Sequence, residues 1–600
     1  MNRTWDYSGN ISTKAICTLI RTALGKEKAD IVIKNVNLVN VHSGEIQEKY
    51  DVAIKNGRIA LTGRATHTVG NDTLVIDGTG KYLAPGFLDG HVHVESSMVT
   101  LIEFARAVLP HGTTGIVIDP HEIANVLGLK GVKTMLAGTK GNPLKVFITI
   151  PSCVPSAPDF ETAGAVIGPE DVRKALTWKE VIGLGEVMNY PGVLECDRQV
   201  LAKIRATLEA GKIVEGHAAG ILDEKLAAYA STGISSCHES TKTKDGVQRL
   251  RFGMYAMIRE GSASRDLSEV IKCITKSRLN SRHAILVTDD RDAEMLTNLG
   301  HIDHVVKRAI EEGADPVTAI QMVTLNTAEH IGLSNILGSI APHKIADLVI
   351  LDDLEKVKVK TVIAEGQIVA KDGKMTVDLP SPRYPSYVKN SIHLKKRLDE
   401  CDFEIKTRRK DGVVTANIIG IQEGTIVTKH LQERLKIEKE KIDISIERDI
   451  AKIAVVERHK MTGNIGLGFV HGMGLKKGAI ATSIAHDSHN IIALGVNELD
   501  MKETVNAVAE AGGGFAVSRN GNVISLLPLP IAGLMSEEGI ERVSERMVKL
   551  KRAVATLGCK KLSLIMSMSF LALPVIPEIR ITDLGLVDTR RFCFINLIAQ

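Results

Sequence analysis

Between Ala84 and Leu337 short apolar runs alternate with amphipathic stretches, and this alternation limits the possible fold more tightly than any other feature of the chain. Apolar, β-branched runs separated by helical patterns read as repeated β-α units around a parallel sheet. Eight strand candidates occur: GFLDGHVHV, TTGIVIDP, KVFITIPS, VIGLGEV, IVEGHAA, GISSCHE, FGMYAMIRE and HAILVTDD. Helical segments such as IEFARAVL, VLAKIRATLEAG and IDHVVKRAIEEG lie between them. Eight is the strand number of a closed (β/α)8 barrel, so an α/β fold of TIM type is expected over residues 84–337.

The flanks have a different texture. DIVIKNVNLVN, DVAIKNGRIALTG and TLVIDGTGKYLAPG read as short strands joined by turns, and ADLVILDD and VKVKTVIAEGQIVAKDG repeat that texture after the barrel region. Residues 1–83 plus 338–385 are therefore expected to complete one small composite β-sandwich domain, interrupted by the barrel. PSPRYPSYVKNS reads as a linker, and residues 392–600 as a separate C-terminal α+β domain. Within it GLGFVHGMGLKKG matches neither phosphate-loop pattern and is read as turns, and ERLKIEKEKIDISIERD as a solvated segment. The apolar run Leu562 to Ile576 is broken by serines and Pro574, and is read as buried core and not as a membrane span.

Charge narrows the partners. Across 600 residues, 75 basic side chains nearly balance 71 acidic ones, so no strong field for nucleic acid or a membrane surface is expected, and a small molecule fits better. The opening MNRTWDYSGN lacks the basic-then-apolar pattern of a signal peptide. The eight cysteines form no CxxC pair, which points to a reduced, cytoplasmic protein and excludes the single-zinc nucleobase deaminases with their PCxxC ligands.

Barrel enzymes carry their chemistry on the C-terminal ends of the strands. The polar residues nearest those ends are His93, Asp119, Ser152, Glu186, His217, His238, Glu260 and Asp289, spaced 21 to 34 residues apart, room for one helix and its loops in each interval. His91 and His93 stand two apart on a strand, so both side chains share a face and can converge on one ion. A lone histidine at such a place is commonly a satisfied core residue. Six ligand-type groups at strand ends, namely His91, His93, Glu186, His217, His238 and Asp289, are another matter, because a barrel gathers them at one mouth where they can hold two divalent ions.

PGFLDGHVHVESSM, GTTGIVIDPHEIANVLG, GLGEVMNYPGV, EGHAAG, CHE, REGS, TDDR and GHID resemble the adenine deaminases of the amidohydrolase superfamily, and the resemblance spans nearly the whole chain. HxH is common to the superfamily, whereas ESSM, DPHEIAN and AHDSHN are specific to the deaminases. The resemblance implies that His91, His93 and Asp289 hold one metal, that His217 and His238 hold the other, and that Glu186 bridges them where many relatives use a carboxylated lysine. It implies manganese, with iron as the alternative, adenine as substrate, and a homodimer or larger assembly. A hydroxide shared by the ions is then expected to attack C6 of adenine, with Asp289 as the catalytic proton shuttle, giving hypoxanthine and ammonia. His121, Glu122 and Glu239 are candidates to protonate or orient the purine. His486, Asp487 and His489, in AHDSHN, are expected on a loop between two buried strands that reaches the active site. The competing readings are another amidohydrolase acting on a different cyclic amide or amidine, and a noncatalytic barrel scaffold.

Overall fold

The computed structural model describes residues 11–262, 264–380, 383–422, 425–559 and 564–599. The opening decapeptide and two residues of the Leu562–Ile576 run lie outside them; within the described part of that run Ile565, Met568, Leu571 and Leu573 are buried.

All eight strand candidates form strands: β1 (Phe87–His93), β2 (Thr113–Ile118), β3 (Lys145–Ile150), β4 (Val181–Val187), β5 (Ile213–Gly216), β6 (Ser236–Cys237), β7 (Tyr255–Arg259) and β8 (Ala284–Val287). Their pairing is parallel throughout. β1, β2 and β3 are buried at every position, as strands sandwiched between a filled interior and an outer ring of helices must be. The ring closes in two places by irregular means. Asp289–Asp290, just past β8, pairs with Val92–His93 of β1, and a Ser235 N–H to Val214 carbonyl bond of 3.0 Å joins β6 to β5. The helices bury one stripe each. In Ile302–Glu311 the buried residues are Ile302, Val305, Val306 and Ala309, the i, i+3, i+4, i+7 pattern. Asp315 caps the next helix by accepting the Thr318 N–H at 2.9 Å, with Pro316 in its first turn.

The segments before and after the barrel do share a sheet. Strands of residues 31–85 and 348–375 form one nine-stranded sheet in which Tyr82–Pro85 pairs with Leu348–Asp353. In place of two separately bonded sheets, the expected sandwich is a single sheet that forks at Ile31–Asn40, whose first half pairs with Leu74–Asp77 and whose second half pairs with Tyr82–Pro85.

A second nine-stranded sheet organises the C-terminal region, with the helices Glu498–Glu510 and Ile540–Thr556 packed on it, as an α+β reading requires. Part of the glycine-rich stretch is here strand and not turn, for Ile465–His471 lies between Gly412–Ile421 and Ile450–Val456. The reason is close approach: a Cβ on Gly466 would stand 1.9 Å from the Thr582 carbonyl oxygen, so only glycine lets the two backbones meet. The charge run is largely solvated, but Leu435, Ile437 and Ile442 within it are core.

The two large domains interlock through the loop after β3. Thr162 donates its N–H to Asp583 at 2.9 Å and accepts from the Asn490 side-chain amide at 2.9 Å. Beside it Glu161 is buried and accepts from Ser156 Oγ (3.0 Å) and the Ala157 N–H (3.1 Å). Burial, with the Asp487 carboxyl nearby, pushes the Glu161 carboxyl up to about 8. The ordinary value is 4.5, so the folded state holds this proton more tightly than the unfolded chain does. The stability this group contributes is then full below about pH 4.5 and lost as pH rises through about 8. Thermal midpoints measured from pH 6 to 8.5 are expected to fall less steeply in Glu161→Gln than in the parent protein; equal slopes would contradict the assignment.

Candidate metal centre

Glu186, near the end of β4, stands at the centre of the barrel mouth. Its Oε1 faces His93 Nε2 at 3.5 Å and His121 Nδ1 at 3.3 Å. Its Oε2 is in contact with His217 Nδ1 and lies 3.1 Å from His238 Nε2. The main chain there is fixed from both sides, because the Glu186 N–H donates to Asp119 Oδ2 (2.9 Å) and its carbonyl accepts from Ser152 Oγ (2.5 Å). A Cβ on Gly185 would come within 2.2 Å of Asp119 Oδ2, so glycine is what lets Asp119 reach that N–H.

Asp289 completes the ring opposite Glu186. Its backbone is left-handed, φ 58°, a conformation that aspartate enters more readily than most residues. Its Oδ1 lies 3.2 Å from His93 Nε2 and 3.8 Å from His91 Nε2. Its Oδ2 accepts from Arg259 at 3.1 Å. His93 donates through Nδ1 to the Asp119 carbonyl, 2.9 Å away; a carbonyl only accepts, so Nδ1 carries the proton and Nε2 is left facing the carboxylates. The Nε2 of His91 is buried and has no hydrogen-bond partner. Imidazole nitrogens directed at carboxylates in a buried cluster suit a divalent ion, and the groups His91/His93/Glu186, His91/His238/Asp289 and Glu186/His217/His238 each bring their ligand atoms within 4.8 Å of one another. All six ligand candidates thus come together.

The mouth is covered unevenly. The side chains of His91, His93, Glu186 and His238 are at most 4% exposed, whereas His217 is 26% and Glu239 14% exposed, so the cluster opens on the side of those two. Glu239 is paired with Arg259 and lies 3.7 Å from His217 Nε2. Against the effect of burial, Arg259 and then His217 hold its carboxyl down at about 2.

His121 and Glu122 open the helix after β2. Burial and neighbouring His93 oppose protonation of His121, yet Asp119 and Glu122 keep its imidazole well above the ordinary range. Glu122 meets the C-terminal domain: its Oε1 is 2.9 Å from His486 Nδ1, and its Oε2 touches His489 Nε2. Burial favours the acid form of Glu122, but the two imidazoles outweigh it and hold the carboxyl well below the carboxylate range. Facing Glu122, His486 is raised to about 9 despite burial, whereas burial takes His489 down to about 4. The Ala485 N–H donates to His489 Nδ1 at 3.3 Å, which puts the ring proton on Nε2 beside the carboxylate. The trio is accordingly a close imidazole–carboxylate clamp across the domain boundary, with His489 Nε2 directed at Glu122. The loop carrying it runs between Ala479–Thr482 and Ile491–Gly495, the two buried strands expected, and buried Arg458 ties it down from Asn490 (3.2 Å) to the Ala532 carbonyl (3.1 Å). Asp487 is buried among these groups but does not touch the six-ligand cluster.

One correction follows from strand period. Glu260, the polar residue at the end of β7, bonds through its carbonyl to Arg291 (2.8 Å) and stands outside the cluster, while the preceding Arg259 points in. Alternate residues face opposite sides, and the inward set of β7 includes Arg259. Ser96, just past β1, bonds to Asp290. Glu215 and His330 also lie beneath the cluster, and no strand-end pattern in the sequence marks them. Glu215 lies two residues before His217, and period two alone places it on the same strand face.

Two family descriptions match the chain: an amidohydrolase family domain over residues 82–369 and an adenine deaminase C-terminal domain over residues 425–593. An adenine deaminase of Moorella thermoacetica is 52% identical over 97% of this chain and 97% of its own length. The chain belongs to the adenine deaminase family. Others include an adenine deaminase of Clostridium botulinum, 46% identical over 97% of both chains, and adenine deaminase 3 of Rhizobium meliloti, 45% identical over 96% of this chain and 97% of its own. The amidohydrolase family implies divalent metal, and the donor set at the mouth fits it. Among the described residues no helix is long and apolar enough to cross a membrane.

If the clamp positions Glu122 and His121, His486→Ala and His489→Ala should each lower turnover roughly 10- to 100-fold in protein that remains folded. Near-normal kinetics in both folded variants would remove the C-terminal domain from the chemistry.

Proposed function

We propose that the chain hydrolyses adenine to hypoxanthine and ammonia, a step of purine salvage, at a site holding two divalent ions. The observation that carries this reading is the convergence of four imidazoles, His91, His93, His217 and His238, on two carboxylates, Glu186 and Asp289, in a chain of the adenine deaminase family. On this reading His91, His93 and Asp289 would hold one ion and His217 and His238 the other, with Glu186 available to both. Mixed imidazole and carboxylate ligands suit manganese, iron and zinc alike, and of these manganese is proposed. When bound, the ions would supply Lewis acidity, lowering the pKa of water toward about 7 so that it can act as a nucleophile at neutral pH.

The remaining work falls to side chains. Adenine enters over His217 and Glu239, the exposed side of the cluster. The Glu239 carboxylate, kept ionised by Arg259, accepts a hydrogen bond from a ring N–H. His121, protonated and 3.3 Å from Glu186, donates to a ring nitrogen and so draws electron density away from C6. Asp289 takes the proton released when water adds at C6 and returns it to the exocyclic nitrogen; the C6–N bond then breaks and ammonia leaves. Arg259, donating from 3.1 Å, holds that carboxylate in place through both transfers.

Ammonia release measured with adenine, adenosine, dihydroorotate and hydantoin tests the reading. Activity is expected with adenine alone, abolished by chelation and restored by manganese. Faster turnover of adenosine, or activity that survives complete metal removal, would overturn it.

A further inference from the structure

The interior of a (β/α)8 barrel is ordinarily filled with packed apolar side chains. Here a file of polar groups runs down it from the metal cluster. His91 Nδ1 lies 3.2 Å from Glu215 Oε2, and the other carboxylate oxygen, Oε1, stands 3.7 Å from His330 Nε2. Glu215 belongs to β5, across the barrel from β1, and His330 ends the helix Leu325–His330 that follows β8. The side chains of His91 and Glu215 are fully buried, and that of His330 is 1% exposed. The His330 ring packs at 4.6 Å against Tyr255, the first residue of β7, so the file ends at the floor of the barrel.

A buried carboxylate is costly to keep unless donors meet it, and this one touches neither substrate space nor solvent. What it does meet is the back of a ligand candidate. A carboxylate accepts, so the Nδ1 of His91 must carry the proton, which leaves the lone pair on Nε2, the orphaned atom facing Asp289. His93 obtains the same tautomer from a main-chain carbonyl, whereas His91 obtains it from a negative charge.

We propose that Glu215 and His330 are positioning residues for the first metal: Glu215 fixes the tautomer and ring orientation of His91, and His330 anchors Glu215 from below. The proposal rests on His91 being a metal ligand, and its test reads metal binding and not turnover. Full-length protein freed of metal is titrated with Mn2+, free Mn2+ being followed by electron paramagnetic resonance. The parent protein is expected to take up two ions. Glu215→Leu, which removes the acceptor at similar volume, is expected to weaken one ion about 10- to 100-fold and to leave the other within about threefold. Glu215→Gln keeps an acceptor oxygen and is expected to fall between the two. A merely structural role would weaken both ions together or lower the folded fraction, which the thermal midpoint of the metal-free protein reports. Should Glu215→Leu fail to fold, His330→Asn removes only the lower anchor and is expected to weaken the same single ion. Two ions bound at parental affinity in Glu215→Leu, or in His330→Asn where the first does not fold, would overturn the proposal while leaving the metal reading intact. A parent protein that binds no Mn2+ would overturn the metal reading and this proposal with it.

Discussion

One buried carboxylate, Glu186, meets four histidines from four different segments of the barrel region, and the arrangement of the mouth depends on that meeting. His93, His121, His217 and His238 approach its two oxygens from β1, from the start of the helix after β2, and from the residues just past β5 and β6. Such a convergence costs desolvation of every partner, and is tolerable only where the geometry pairs each charge. Hence the supporting constraints: the Asp119 carboxylate on the Glu186 N–H, glycine at 185 to admit it, and the left-handed backbone at Asp289 that turns a second carboxylate inward. These are constraints on main chain more than on side chains, and they explain why the site sits on strand ends and not on free loops.

The barrel was legible because its strands are buried on both faces and read as nearly unbroken apolar runs, and the ligand candidates because they terminate those runs. What escaped has physical reasons. The sequence does not single out Arg259 from its neighbour Glu260, since the end of a run marks depth along the barrel but not which face a residue takes. Glu215 was hidden by its setting, a charged residue inside an apolar stretch whose partners, His91 and His330, are 124 and 115 residues away in sequence. Ile465–His471 read as turns because glycine density signals either a bend or a close approach, and only the packed Thr582 carbonyl decides between them.

The C-terminal domain meets the barrel mouth at Glu122. Glu122 belongs to the barrel, yet its two oxygens are met by His486 and His489 of the other domain. AHDSHN could be placed on a loop between buried strands from sequence alone, but its partner could not, because nothing local to either motif encodes a contact across more than 360 residues. With Arg458 holding that loop from within and Asn490 reaching Thr162, the interface and the clamp form one connected hydrogen-bonded structure.

The central claim is that Glu186 lies between two divalent ions. Anomalous diffraction from crystals of the manganese-loaded protein measures this most directly. Two manganese peaks are predicted, one beside His91, His93 and Asp289 and one beside His217 and His238, with the Glu186 carboxylate in contact with both. A single peak, or two peaks that do not share Glu186, would contradict the account.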